Sequence, residues 1–345
     1  MQMGIKNLHK LLKKCEGIIV EKKPTSYQGK KIAIDISILI YQIVIAIRNT
    51  GADLTNNKGE ITSHLYGIFN KTISMLEMGI NPIYVFDGKP PKMKNDILKS
   101  RREQRSKAKQ KMNSAIDKNE KIKYFKRSVV ITRKQLDECK TLLGLIGIPV
   151  INAPEEADSQ CAWLAKNNLV YGVSTEDMDI LTFGSPRIIR NLSSRKKNSI
   201  EIELDSILKR LRIDYSQFID LCILLGCDYC PTLSGVGMKK AFSLIQRYGS
   251  IDEFLESTEF KTMNIKMPEK FVVEKNDTIN YFKNPVVKNI DSDTLIWTEP
   301  KYQKISEYMV KYYGFSRSTI NKKIGKLRKL YNNYNKQEET LNITL

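Results

Sequence analysis

Ile83-Tyr-Val-Phe-Asp87-Gly-Lys-Pro-Pro91 is an unbroken apolar run that ends in an aspartate and is stopped at once by a Gly-Lys-Pro-Pro break. A run with no polar alternation reads as a strand buried on both faces, and parallel-sheet proteins place their sites at the carboxyl ends of such strands. Ile32-Ala-Ile-Asp35 repeats the pattern. Around these two runs the spacing predicts a helix from Ile5 to Cys15, a second through Tyr41, and a third from Ser63 to Met78, which Gly79-Ile-Asn-Pro82 ends. The pattern resumes after Thr132 with a helix to Gly144, a strand over Ile148–Ile151, a helix after Pro154, a strand over Val170–Val173 and a break at Thr175-Glu-Asp-Met-Asp179. Helical patterns dominate after Tyr215, and the Lys-, Asn- and Tyr-rich tail from Ser316 is expected to fray beyond about Asn332. This alternation predicts an α/β fold with a mixed, largely parallel central sheet flanked by helices.

Seven acids, Asp35, Asp87, Glu156, Asp158, Asp177, Asp179 and Asp228, each follow an apolar run or a turn-like break. One aspartate after a strand is usually a helix cap or a solvated turn residue. Five separate loci placed alike are hard to explain as independent caps. Gathered in one place, the carboxylates would repel one another, which is tolerable only if divalent cations neutralise them or some stay protonated. Oxygen-only ligands point to Mg²⁺ or Mn²⁺, and a two-ion centre needs about this many carboxylates, bound directly or through water.

The local geometry constrains two of the acid pairs. Residues two apart on a regular helix point about 200° away from each other, so Glu156 and Asp158 are placed in the first turn beside Pro154, where the helix dipole favours acids. Asp177 and Asp179 align if Thr175–Asp179 is extended or a tight loop.

The chain of 345 residues carries a formal net charge of +19. Such a balance argues for a polyanionic partner such as nucleic acid. From Lys89 to Lys134 there are 17 Lys/Arg against 4 Asp/Glu, so most of the excess lies in one segment. Asn95–Lys126 has good helix formers without a continuous apolar stripe; it reads either as a solvated helix pair or as a mobile arm ordered by nucleic acid. It interrupts the sheet pattern and would stand over the strand ends that carry the acids.

The longest apolar stretch, Ile36–Ile47, is interrupted by Ser37 and Gln42 and is too short to span a bilayer, and no cleavable signal pattern precedes it. An intracellular location is expected. The six cysteines form no small-scaffold disulfide pattern, and Cys227-x-x-Cys230 has no second pair or nearby histidine to complete a zinc site. His9 and His64 are read as structural.

Gly235 and Gly237 in Leu233-Ser-Gly-Val-Gly-Met-Lys-Lys-Ala241 allow a tight turn before a helix whose free N–H groups suit a phosphate, with Lys239 and Lys240 adding charge. A plain helix-turn-helix connection is the alternative. Tyr41, about two turns beyond Asp35, is placed to stack on a base or to fill the core. Lys94 and Arg101, seven apart, share one face of a helix and reach toward a phosphate; Arg48 and Arg105 complete the basic set assigned to DNA.

Taken together, Met3-Gly-Ile-Lys-Asn-Leu8, Val85-Phe-Asp-Gly-Lys-Pro-Pro91, Ala153-Pro-Glu-Glu-Ala-Asp158, Thr175-Glu-Asp-Met-Asp-Ile-Leu-Thr-Phe-Gly184, Leu225-Gly-Cys-Asp-Tyr-Cys230 and Gly235-Val-Gly237 resemble the flap endonuclease branch of the structure-specific 5′ nucleases. The resemblance runs to about residue 260. It implies a nuclease core built from 3–90 and 136–230, a helical arch over 91–135, a helix-two-turn-helix over 215–262 that grips duplex DNA with help from K⁺, and a C-terminal helical region and tail over 263–345. It further implies that the seven acids are metal ligands, that Lys94 and Arg101 contact the reacting phosphate, and that Tyr41 stacks on the terminal base.

The implied activity is Mg²⁺-dependent cleavage of 5′ flaps with a lesser 5′-to-3′ exonuclease activity, by a monomer acting in the nucleus or in a viral or cytoplasmic replication compartment. A mainly exonucleolytic enzyme and a catalytically silent junction-binding scaffold are the rivals. Three departures stand out. Asp158 replaces the glutamate usual in flap endonucleases, Met1-Gln2 precede the family's Met-Gly start, and the tail lacks a clamp-binding box, so a sliding-clamp partner is not expected.

Overall fold

The structure is a computed structural model that describes residues 4–192, 197–263 and 265–343. Met3, where the resemblance begins, lies outside the described residues, as do Thr344 and Leu345. The fold divides into two compact units. One comprises Met1–Pro24, Asp87–Lys99 and Asn152–Asn289, and the other Thr25–Phe86, Ser100–Ile151 and Ile290–Leu345. Seven strands occur among the described residues: β1 (Ile19–Lys22), β2 (Lys31–Asp35), β3 (Asn81–Phe86), β4 (Val150–Asn152), β5 (Gly172–Ser174), β6 (Arg187–Arg190) and β7 (Ser199–Glu203).

In the unit that begins at Thr25, the strands run in the order β2-β3-β4. β2 and β3 are parallel, with Lys31 opposite Asn81 and Asp35 opposite Val85. Ile32, Ala33 and Ile34 on one strand and Ile83, Tyr84, Val85 and Phe86 on the other are buried, as runs without alternation require. Parallel neighbours need a long crossover. The helices Ile36–Arg48 and Ser63–Glu77 supply it, packed so closely that a Cβ at Gly67 would lie 2.0 Å from Cγ2 of Ile43.

The expected helix after Thr132 runs from Arg133 to Ile146, opened by a capping box between Thr132 and Gln135. The basic segment folds as two helices, Asn95–Ser114 and Lys118–Arg127, in which Ala108 is the one buried residue. The tail does not stop near Asn332. A single helix, Arg317–Ile343, continues because Ile320, Leu327 and Tyr334 recur every seven residues on a buried face. Trp297 then packs its ring 5.2 Å from those of both Tyr331 and Tyr334.

The other unit holds β1-β7-β6-β5 in that order, with β1–β7 and β7–β6 antiparallel and β6–β5 parallel. β1, β6 and β7 have no counterpart in the sequence reading, although Ser199-Ile-Glu-Ile-Glu203 alternates with strand period. The acids of β7 are paired: the buried Glu201 accepts from Lys22 at 2.6 Å and Glu203 from Arg187 at 2.6 Å. The first helix is shorter than expected, Leu8–Leu12, because Asn7 takes a left-handed conformation at φ 59°. Helices Tyr215–Leu225, Met238–Tyr248 and Phe271–Lys283 follow, and Phe183, Tyr229, Tyr281 and Phe282 form an aromatic cluster with ring centroids 5.1–6.3 Å apart.

Candidate metal centre

Six of the seven acids belong to the unit that begins at the amino terminus, and three local devices place five of them. Asp87 leaves the end of β3 and its Oδ1 accepts from the Ala157 N–H at 2.9 Å, so it holds the first turn of the helix Ala157–Lys166. Glu156 is that helix's N-cap, with extended dihedrals (φ −90°, ψ 141°), and Asp158 is in its first turn. Pro154 thus lies before the helix rather than inside its first turn. The 200° conflict disappears because Glu156 is not helical.

The break Thr175–Asp179 is a tight loop. Thr175 Oγ1 accepts from the Asp177 N–H at 3.0 Å, Asp177 Oδ1 accepts from the Asp179 N–H at 3.0 Å, and Asp179 opens a short 3₁₀ turn to Leu181.

These devices converge on Asp179. It is 1% exposed, and its Oδ1 is buried with no hydrogen-bond partner. Its carboxyl is held well above the usual range, first by burial and then by Asp177, with Asp228 and Glu156 adding to the rise and Lys94 opposing it. Asp158 enters through Lys94. Burial alone would lower the Lys94 ammonium, but Glu156, Asp179 and Asp158 override it and hold the group above its usual value.

The amino-terminal segment closes one side. A Cβ at Gly4 would lie 1.8 Å from Oδ1 of Asp177 and 3.0 Å from Oδ1 of Asp179, so only glycine leaves those oxygens accessible. Gly4 is at φ 76°, where other residues are strained as well.

An orphaned buried carboxylate oxygen surrounded by further acids fits a hard divalent cation, since nothing else within reach satisfies it. No three acids among the described residues already close a cage about one point. Asp87, Glu156, Asp158, Asp177, Asp179 and Asp228 are the residues of this unit that would hold the cation, with Asp87 also supporting the turn from which Glu156 and Asp158 project.

Lys94 is not on a helical face shared with Arg101. It ends a 3₁₀ turn, Lys92–Lys94, just before the helix, and its ammonium binds Glu156 Oε1 while lying 4.7 Å over the Tyr229 ring. Two residues that sequence reasoning missed complete the surroundings of Glu156. Tyr229 donates to its Oε2 at 2.5 Å and Tyr281 to the same oxygen at 3.1 Å. Tyr229 stood next to Asp228 inside a quoted motif, but Tyr281 gave no signal.

His9, read as structural, accepts from Arg190 at 3.1 Å; Arg190 in turn holds Glu176, the neighbour of Asp177, at 2.9 Å. Gly235 takes φ 91° and Gly237 is the N-cap of Met238–Tyr248, with Lys239 exposed on the first turn and Lys240 Nζ donating to Gly235 O at 3.4 Å. Burial pushes the Cys227 thiol up to about 12, which leaves it a poor metal ligand at neutral pH.

The remaining predicted residues belong to the second unit. Asp35 is 5% exposed and caps the helix Ile36–Arg48, its Oδ1 accepting from the Ser37 N–H at 2.8 Å and the Ile38 N–H at 3.3 Å. Tyr41, Arg101 and Arg105 are half-buried. Arg48 is occupied. Its guanidinium grips Asp53 at 3.1 and 2.9 Å, donates to Phe125 O at 2.9 Å and lies 4.1 Å over the Phe125 ring, tying the second basic helix to the end of Ile36–Arg48.

Comparison with known proteins gives this arrangement a family. Residues 3–108 match the XPG N-terminal domain and residues 147–228 the XPG I-region. The chain is 43% identical over 335 residues to flap endonuclease 1 of Chlamydomonas reinhardtii, covering 94% of this chain and 84% of the relative. It is 44% identical over 338 residues to flap endonuclease 1-A of Sorghum bicolor, covering 96% and 88%. Among solved structures, flap endonuclease-1 from Methanococcus jannaschii superposes with a TM-score of 0.72 at 37% identity, covering 92% of this chain and 97% of that one. The catalytic core of Rad2 in complex with a DNA substrate superposes at 0.73 with 26% identity, covering 94% and 100%. The chain therefore belongs to the flap endonuclease family of metal-dependent XPG-type nucleases.

Proposed function

We propose that this protein is a structure-specific 5′ flap endonuclease that hydrolyses DNA phosphodiesters where single strand meets duplex, with a lesser 5′-to-3′ exonuclease activity. The observation that carries the reading is Asp179, a buried carboxylate with an unpartnered oxygen in the middle of further acids. Mg²⁺ is the cation that this donor set selects, with Mn²⁺ able to replace it. A bound pair of ions would supply Lewis-acid activation of water and neutralise charge on the attacking and leaving oxygens.

The protein's own groups have defined tasks. Asp87, Glu156, Asp158, Asp177, Asp179 and Asp228 would hold the cations, and Asp87 also fixes the helix start that presents Glu156 and Asp158. Lys94, kept charged by the acids beside it, offers a fixed cation to a phosphate that competes with Glu156 for it. Asp35, Tyr41, Arg48, Arg101 and Arg105 keep the metal-binding and DNA-contacting roles that the family implies. The turn Gly235–Gly237, with Lys239 and Lys240, meets the duplex backbone through the N-terminus of Met238–Tyr248, and it is the place where K⁺ would add positive charge toward the phosphates. The basic segment acts as the arch that admits a free 5′ end.

Incubating 5′-labelled flap, nicked and blunt duplexes with Mg²⁺ tests this reading. The flap is expected to be cut fastest, with release of the displaced strand. Equal rates on all three would remove the flap preference, and undiminished cleavage in chelator would remove the metal.

A further inference from the structure

Glu156 is held more completely than a metal ligand requires. Its Oε1 receives the Lys94 ammonium, and its Oε2 receives two phenol hydroxyls, Tyr229 at 2.5 Å and Tyr281 at 3.1 Å. A carboxylate offers about four acceptor positions, so three donors leave roughly one for an ion or its water. The donors come from three separate stretches. Lys94 ends a 3₁₀ turn, Tyr229 follows Asp228, and Tyr281 lies 125 residues along the chain from Glu156, on the helix Phe271–Lys283.

Both phenols are themselves immobilised. Their rings lie 5.3 Å apart, each within 5.1–6.3 Å of Phe183 and, for Tyr229, of Phe282. Ring packing limits where these hydroxyls can turn, and a fixed donor fixes its acceptor; the Tyr281 hydroxyl also interacts with Glu155, the residue before the one it binds.

We propose that Tyr281 is a positioning residue for the metal centre: with Tyr229, it pins Oε2 of Glu156 so that this carboxylate meets the cation through a single acceptor position. The pair also matters when substrate arrives. If a phosphate draws Lys94 away, the two phenols keep Glu156 in place and hydrogen-bonded, so the ligand does not swing as the lysine changes partner. The inference rests on the metal-dependent reading above.

The test uses the full chain and the Tyr281→Phe variant, which keeps the ring in its cluster and deletes the hydroxyl. Binding of Mn²⁺ alone is followed by electron paramagnetic resonance, beside the Mg²⁺ concentration that half-saturates flap cleavage. Loss of an outer hydrogen-bond partner of a ligand weakens metal binding about tenfold. Tyr281→Phe is therefore expected to weaken Mn²⁺ binding and raise the Mg²⁺ half-saturation point by about that factor, while affinity for junction DNA in chelator stays at the wild-type value. Tyr229→Phe, which removes the shorter bond, should produce a larger shift in the same direction. A folded Tyr281→Phe protein with wild-type Mn²⁺ affinity would overturn the inference alone. A wild-type protein that binds no Mn²⁺ would instead overturn the metal reading, and the inference with it.

Discussion

The acid cluster around Asp179 and the basic helix pair Asn95–Ser114 and Lys118–Arg127 both concentrate charge of one sign, but they do so under opposite conditions. Asp179 is fully enclosed, with its neighbours' charges pushing its carboxyl upward. In the two basic helices one residue is buried, and Arg102, Lys107 and Lys109 face solvent. Water screens the second set cheaply; the first is offset by Lys94, two phenols and backbone N–H groups among its partners until cations arrive. The acids are accordingly tied down one by one, whereas the helix Lys118–Arg127 is held where Arg48 grips Phe125 and Lys126 reaches Asn49.

The largest effect should come from the enclosed side. Asp179→Ala removes the central carboxylate and is expected to cut flap cleavage by about a thousandfold or more while leaving junction binding in chelator nearly intact. A single-turnover assay beside a binding titration measures both, and retained turnover would contradict the role given to this residue. On the exposed side, replacing Arg102, Lys107 and Lys109 together by Ala should weaken binding and make its dependence on log salt shallower by about 2, at roughly 0.7 per lost contact to single-stranded phosphate. An unchanged slope would mean that these side chains never reach DNA.

The anchor between the two behaviours is Arg48. Arg48→Ala, or Asp53→Asn, should speed amide exchange across Lys118–Arg127 by about tenfold and leave exchange around Thr175–Leu181 unaltered. Equal acceleration in both would show that the regions are not independent.

The smallest effect concerns acid. His64 is fully buried, 2.5 Å from Glu138, and burial lowers its pKa despite that carboxylate. A base with a depressed folded pKa gives stability that is present above its unfolded value, near 6.5, and lost as pH falls through the folded one. Urea midpoints should therefore drop below about pH 6.5, and His64→Gln should flatten that part of the curve.

What could be read from the sequence was whatever a short stretch determines. Ile32–Asp35 and Ile83–Asp87 carry their own burial pattern and their own stop, so the strands, their parallel pairing and the acids at their ends were all legible. The alignment of Asp177 and Asp179 was legible as an extended segment or a tight loop, and the structure takes the loop, which closes on itself through Thr175.

Long-range packing was not. No local feature tells Tyr281 apart from a core tyrosine, because its meaning lies in Glu156, far along the chain. The extension of the last helix past Asn332 depends on Trp297, and the pairing of β1 depends on β7, which lies about 180 residues away. For Arg48, named for DNA, the sequence could not reveal that Asp53 and Phe125 also engage it.

The central claim is that acids from distant stretches hold paired cations. Crystals of the full chain grown with Mn²⁺ and measured at the manganese absorption edge test it most directly. The account predicts two anomalous peaks roughly 3.5 to 4 Å apart, next to Asp179 and within reach of Glu156, Asp158, Asp177 and Asp228. No peak among these residues, with strong peaks elsewhere on the protein, would contradict it.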